Sequence, residues 1–427
     1  MTGHQSRRRV ALILTLVSTT ALMCAGGALA QEPVQLTFRQ FDPPSDTQGL
    51  VKAVDAWNES HPDIQVKMET MGGSDTLAQL AREIPAGGGP DVQHLAFIWT
   101  RDLAKSGLLL PLDDLIAQDP PNVGIDDFLA LDLAREGDKI YGVPWTADTF
   151  SMAYRPDLLE AAGIDSFPST WDDLTAAAKT LTKGDQYGFC FPAGSSPDSA
   201  FWFLANYYLW SNGSTLVDQD SSGAWQIVAT ADDLAKDMAY FNGFFEDGST
   251  SEDMITINSW TDPVIVGGLA RGDCAITFFP PQTFRVTEEQ SQEPLMTAEI
   301  PAGSKKRISH LGGRALGINP NSEHPKESWE FIKYLLSPET FESYKQYPAQ
   351  KSILDAIDFP ASEDGFVKML PQAITFERYI SSPIRVTSLQ KVVNARFGAV
   401  FSGQSSPEEA AAALVSDLES LLERGSN

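Results

Sequence analysis

The chain has 427 residues, with 57 acids against 31 lysines and arginines and a formal net charge of −26. Binding nucleic acid requires a basic surface to neutralise phosphates, so a general nucleic-acid binder is excluded, and docking on an anionic lipid surface is disfavoured. The length allows two or three domains of roughly 100–200 residues each.

Residues 1–30 read as a secretion signal. Arg7, Arg8 and Arg9 form a basic start, the run from Val10 to Ala21 is mostly apolar, and Ala28-Leu29-Ala30 gives an A-x-A cleavage site before Gln31. The alternative is an uncleaved anchor. Thr15, Ser18, Thr19, Thr20 and two glycines interrupt the apolar run and weaken a spanning helix. Ser6-Arg7-Arg8 resembles a twin-arginine export signal, but three arginines serve ordinary secretion equally well. Lipid attachment at Cys24 is disfavoured, because Met23 stands where a small residue is needed. Losing the signal's three arginines takes the formal charge to −29. No later segment holds eighteen apolar residues, so the mature chain reads as soluble. Its two cysteines, Cys190 and Cys274, are equally compatible with a disulfide in an oxidising compartment and with two buried thiols.

Downstream, short apolar runs alternate with helical patterns. Val34 to Phe38 reads as a strand. Leu50, Val54 and Trp57 share one helical face, which Pro62 ends, and Ile64 to Met68 reads as the next strand. Gly87-Gly88-Gly89-Pro90 lacks the Gly-Lys-Ser/Thr of a phosphate loop and reads as a turn into a strand over Val92 to Phe97. Thr170 caps a helix carrying Leu174, Ala178 and Leu181 on one face. Ser406-Pro407-Glu408-Glu409 is a capping box, followed by Ala410, Leu414, Leu418 and Leu422, with Gly425 as the stop. This β-α-β alternation predicts an α/β fold with a mainly parallel sheet.

Motifs for catalysis or metal binding are missing. His4, His61, His94, His310 and His324 fall in no paired metal spacing, the cysteines form no C-x-x-C, and there is no G-x-S-x-G elbow. A glycosidase pair needs two carboxyls at roughly 5–9.5 Å, which counts of acids do not reveal. The nine tryptophans say more. Trp57, Trp171 and Trp329 occupy helix positions that read as buried. Trp99, Trp145 and Trp202 lie near glycine, proline or acids, where aromatic planes can stack on the C–H faces of sugar rings while carboxylates and amides take the hydroxyls.

The ordered segments AWNESHPDIQV, GGGPDVQHL, LAKSGLLLPLDDL, DKIYGVPWTADTFSMAYRPDLLEAAGI, FPSTWDDLTAAAKTLT, GLARGDCAITFF, HLGGRALGINPNSEHPKESWEFIKYLLSPE and FSGQSSPEEAAAAL resemble the family 1 extracellular solute-binding proteins, the sugar receptors of bacterial ABC importers. The resemblance implies a periplasmic-binding-protein-like fold of two α/β lobes joined by hinge strands. The first lobe is expected at about 31–146 and 297–345, and the second at about 147–296 and 346–427. Ligand would lie between the lobes at the C-terminal ends of strands and be gripped by hinge closure. It further implies a monomeric receptor that delivers a carbohydrate to membrane permease subunits, without catalysis, cofactor or metal. The matching ligand-contacting positions are Asp42, Asp46, Phe97, Ile98, Trp99, Asp148, Trp202, Phe279, Gln282, Gly312, Gly313 and Arg314, to which the aromatic reading adds Trp145.

Where many relatives carry an aromatic, this chain has Gln282 and Arg314, and it lacks their acid near Ala96 or Ile98. The expectation is a smaller or partly anionic sugar, since the fork of Arg314 suits a carboxylate, sulfonate or phosphate. The alternative for Arg314 is a pairing with one of the many acids. Alternatives for the protein are a secreted glycosidase or lyase, or a receptor for a glycerol phosphate or a polyamine.

Overall fold

A computed structural model describes residues 32–42, 47–121 and 124–425. The predicted signal at 1–30 and Asp46 lie outside the described residues.

Two sheets organise the chain. The six-stranded sheet runs in the order Tyr347–Pro348, Val143–Asp148, Gly312–Ile318, Val92–Ala96, Val34–Gln40, Ile64–Thr70. The four-stranded sheet runs Met296–Ala298, Ser151–Tyr154, Cys274–Phe279, Tyr187–Phe189. The architecture is α/β as expected, but neither sheet is mainly parallel. Val34–Gln40 is parallel to both of its neighbours, whereas Gly312–Ile318 and Val143–Asp148 run antiparallel. The cause is topological. Gly312–Ile318 enters the six-stranded sheet only after an excursion through the other sheet, and so arrives from the opposite edge.

The chain passes from Asp148 in one sheet to Ser151 in the other through only Thr149 and Phe150. The returning segment runs beside it: Thr149 Oγ1 donates to the His310 carbonyl at 2.8 Å and Ser309 Oγ to the Phe150 carbonyl at 3.1 Å. The expected limit at 297 falls inside the Met296–Ala298 strand of the four-stranded sheet. Residues 302–306 still bond to Ser169 and Ser211, so the return to the six-stranded sheet comes only at Gly312. Tyr347–Pro348, past the expected limit at 346, likewise pairs with Val143–Asp148.

The predicted local signals take their expected forms. Thr170 and Asp173 make a reciprocal capping box, as do Ser406 and Glu409. Trp57, Trp171 and Trp329 are buried. One core, around Leu36, Phe38, Val54, Trp57, Trp145 and Trp329, fills the six-stranded side, and a larger one covers the four-stranded side. The larger core contains a disulfide between Cys190 and Cys274, whose Cα atoms are 6.1 Å apart. That answers the pairing question the sequence left open. No helix among the described residues is long and apolar enough to cross a membrane.

Candidate functional site

The site is built at one edge of the six-stranded sheet. Asp42 lies two residues past the Val34–Gln40 strand, Phe97 follows Val92–Ala96, and Asp148 ends its own strand. The register places Gly312 opposite Asp148 and Arg314 opposite Ala96, which brings segments distant in sequence together. A bulge between Arg314 and Ala315 shifts the pairing with Val143–Asp148, and such irregularities re-aim side chains near sites. Gly313 has φ of 144°, and a Cβ there would sit 2.1 Å from the Thr146 carbonyl and 2.7 Å from the Phe97 ring. The space a side chain would need at Gly313 is therefore already filled by the protein itself.

Four layers stack at this edge. At the base, His94 meets Trp145 edge-on at 5.3 Å, and Tyr344 stacks on Trp145 at 4.9 Å. Above them lies Asp42, only 6% exposed, 3.8 Å from His94 Nε2 and accepting from Tyr344 Oη at 3.4 Å. Next comes Arg314, whose Nε and Nη2 donate to Asp42 Oδ1 at 3.0 and 2.8 Å, while Nη1 lies 3.6 Å from Asp148 Oδ2. Phe41 covers the guanidinium at 4.8 Å and packs against Trp99 at 4.7 Å.

Electrostatics follow from this packing. Burial opposes ionisation of Asp42, but the nearby His94 and Arg314 overcome it and its pKa lies below the usual carboxylate value. Burial pushes His94 down to about 4 despite the pull of Asp42. At neutral pH His94 is thus uncharged, and Arg314 is the cation that holds Asp42 ionised. Asp148 is shifted the other way: its recess and the charge of Asp42 raise its pKa against the pull of Arg314. Asp148 still has 35% of its side chain open, and among the described residues its carboxylate meets only Arg314, at 3.6 Å. It is the open acceptor of the group.

From the four-stranded side, aromatic rings approach. Phe150 packs on Phe203 at 4.8 Å and Trp260 at 4.9 Å, and His310 lies between Phe203 and Phe376. A Cβ at Gly312 would contact both Asp148 Oδ1, at 2.2 Å, and His310 Cε1, at 3.0 Å, so the acid and the aromatic group adjoin. Phe203 and Trp260 are half-buried. The arrangement offers charged acceptors and donors on one side and ring faces on the other.

Sequence reasoning brought Asp42, Trp99, Asp148, Gly312, Gly313 and Arg314 to one place, with Phe97 buried beneath. Ile98 is 45% exposed, and Gln282 is half-buried at the start of the Pro281–Gln290 helix. Three expected residues are closed off from any ligand by burial. Trp145 is fully buried and donates its indole N–H to the Leu335 carbonyl. Trp202 is 2% exposed between Phe376 and Tyr379, and Phe279 is fully buried in its strand. Their neighbours in space were decided by packing, which sequence adjacency to glycine or acids does not encode. Phe41, His94, Tyr344, Phe203, Trp260 and His310 were missed. Only Phe41 carried a signal, as the residue beside Asp42. A cavity of about 620 Å³ bounded by Leu133, Leu311, Trp210, Phe376 and Tyr379 contains none of the acid–guanidinium group, so the layered cluster is the candidate site. Among the described residues no group of three or more His, Cys, Asp or Glu could hold a metal.

The family described as bacterial extracellular solute-binding protein matches residues 43–340. This chain belongs to that family. A putative binding protein of Brucella abortus is 23% identical over 394 residues, covering 91% of this chain and 88% of its own length. The GacH receptor of Streptomyces glaucescens, solved unliganded and with acarbose and an acarbose homolog, superposes with a TM-score of 0.72 at 23% identity, over 92% of this chain and 99% of its own. The sugar-binding protein MalE of Xanthomonas citri gives 0.73 at 19% identity, over 92% and 98%. The solute-binding protein therefore has the periplasmic-binding-protein fold of sugar receptors.

Proposed function

We propose that this solute-binding protein captures a neutral carbohydrate and delivers it to the permease of an ABC importer, with no catalytic step. The observation that carries the reading is Asp148, an open carboxylate beside a paired guanidinium and next to half-buried aromatic rings. A carboxylate accepts from two neighbouring hydroxyls, the remaining N–H groups of Arg314 donate, and rings such as Trp260 and Phe203 cover the apolar face of a sugar. Sugar ligands named for relatives of the same fold support the carbohydrate class.

The expected preference for an anionic sugar loses its ground. Asp42 already takes the Nε–Nη2 edge of Arg314 that would have gripped a carboxylate or phosphate. With His94 neutral, Asp42 and Arg314 offset each other, so no unpaired positive charge is left here to attract an anion.

On this reading the sheets belong to two lobes that close about the crossings near 148–151 and 309–312, and closure excludes water so that a misplaced hydroxyl leaves a polar group unpaired. Export to the periplasm, with cleavage after Ala30, completes the proposal. Tryptophan fluorescence tests it with a panel of neutral sugars, their uronic acids and amino sugars. A neutral sugar is expected to shift the emission, and Asp148→Asn to weaken binding at least about tenfold. Tighter binding of the uronic acid, or an unchanged affinity in the variant, would remove this site from the account.

A further inference from the structure

Away from the site, the Val386–Phe401 and Pro407–Gly425 helices pack side by side and leave a groove of about 460 Å³. Arg385, Lys391 and Arg424 line it, the half-buried Val392 and Leu421 supply apolar surface above the buried Ile384, and among the described residues no carboxylate lines it. Among the described residues none of the three cations has an ion-pair partner; Arg424 Nε instead donates to the Ser420 carbonyl at 3.0 Å. In a chain of 57 acids and 31 bases, a groove whose described lining holds three cations without ion-pair partners and no carboxylate is a local reversal of sign.

From this we infer that the groove is a docking surface for a partner protein that offers an acidic, amphipathic segment. The molecule's overall negative field repels such a segment from most of its surface, so the groove is where it can settle. Carboxylates would meet the three cations while apolar side chains cover Val392 and Leu421, as when an amphipathic helix lies in a groove. An anionic bilayer fits less well. It is flat where the groove is concave, and exposed Glu408, Glu409 and Glu419 on the same C-terminal helix would be driven against its headgroups.

The test uses the full exported chain and a labelled amphipathic peptide of glutamate and leucine. A lysine–leucine counterpart and phosphatidylglycerol vesicles complete the set. The glutamate peptide is expected to bind at low ionic strength and to weaken at high salt. The triple variant Arg385→Glu, Lys391→Glu, Arg424→Glu is expected to lose at least about tenfold in affinity. Arg385→Gln with Lys391→Gln serves as a milder version should the triple variant unfold, and melting temperature and sugar response are followed in each. Equal binding to the folded variants, no binding of the glutamate peptide at low salt, or capture by vesicles alone would each overturn the inference.

Discussion

The two cores handle buried ionisable groups in opposite ways. On the six-stranded side, Asp42 is ionised against Arg314, beside a histidine that burial keeps neutral. On the four-stranded side, Asp237 is 1% exposed, its Oδ1 has no hydrogen-bond partner, and burial alone raises its pKa well above the usual carboxylate value. Similar burial thus accompanies a lowered carboxylate pKa in one place and a raised one in the other, and the deciding difference is a guanidinium within reach. The first core uses its charges to shape a site. The second carries none of that group and is stapled by the Cys190–Cys274 disulfide.

The largest expected effect strips the staple. The bridge spans 84 positions, and a loop of that size restricts the unfolded chain by about 4.5 kcal/mol in the chain-entropy model. Cys190→Ser with Cys274→Ser should lower stability by roughly that amount in urea unfolding. The same denaturation with reductant should leave a protein lacking both cysteines unchanged, and a response there would place the effect elsewhere.

The next contrast is in pH. His94 has its folded pKa depressed from 6.5 to about 4, so the unfolded chain binds the proton first. Its contribution is fully present above about 6.5 and is lost as pH falls towards 4, about 3 kcal/mol at most. His310, pushed by burial to about 3, acts with the same sign. His94→Phe should flatten the loss between pH 7 and 4 as read by thermal melts; a profile as steep as the parent's would discard His94 as its source.

Asp42→Ala leaves Arg314 without its main partner. Removing one member of a buried pair costs about 3–5 kcal/mol, and because the guanidinium is 26% exposed about 2 kcal/mol is expected here. Replacing both, as Asp42→Leu with Arg314→Met, should cost less than the single change while still abolishing sugar binding. A double variant less stable than the single one would mean that the pair is not the unit described.

The smallest effect comes from the other core and has the opposite sign to His94. A raised folded pKa gives Asp237 a contribution that is present below about 3.9 and is lost as pH rises through the folded value. Asp237→Asn should therefore gain stability relative to the parent as pH rises, read from thermal melts of both proteins across the pH range. Identical pH slopes in the two proteins would show that Asp237 finds a partner.

The sequence by itself determined the elements and the family. Capping residues at Thr170 and Ser406, apolar periodicity through Trp57 and Leu414, and the ordered motifs are local signals, written within a turn or two of where they act. They also marked the edge of the sheet where Asp42, Asp148 and Arg314 gather. Only the tertiary structure decided that Arg314 is already held by Asp42, 272 positions away, that Trp145 and Trp202 face inward, and that Phe203 and Trp260 gather around Phe150 at the crossing between the sheets. The reason is that pairing and burial depend on the return of the chain at Gly312 after its passage through the second sheet, and a long-range closure of that kind leaves no mark on the spacing of nearby residues.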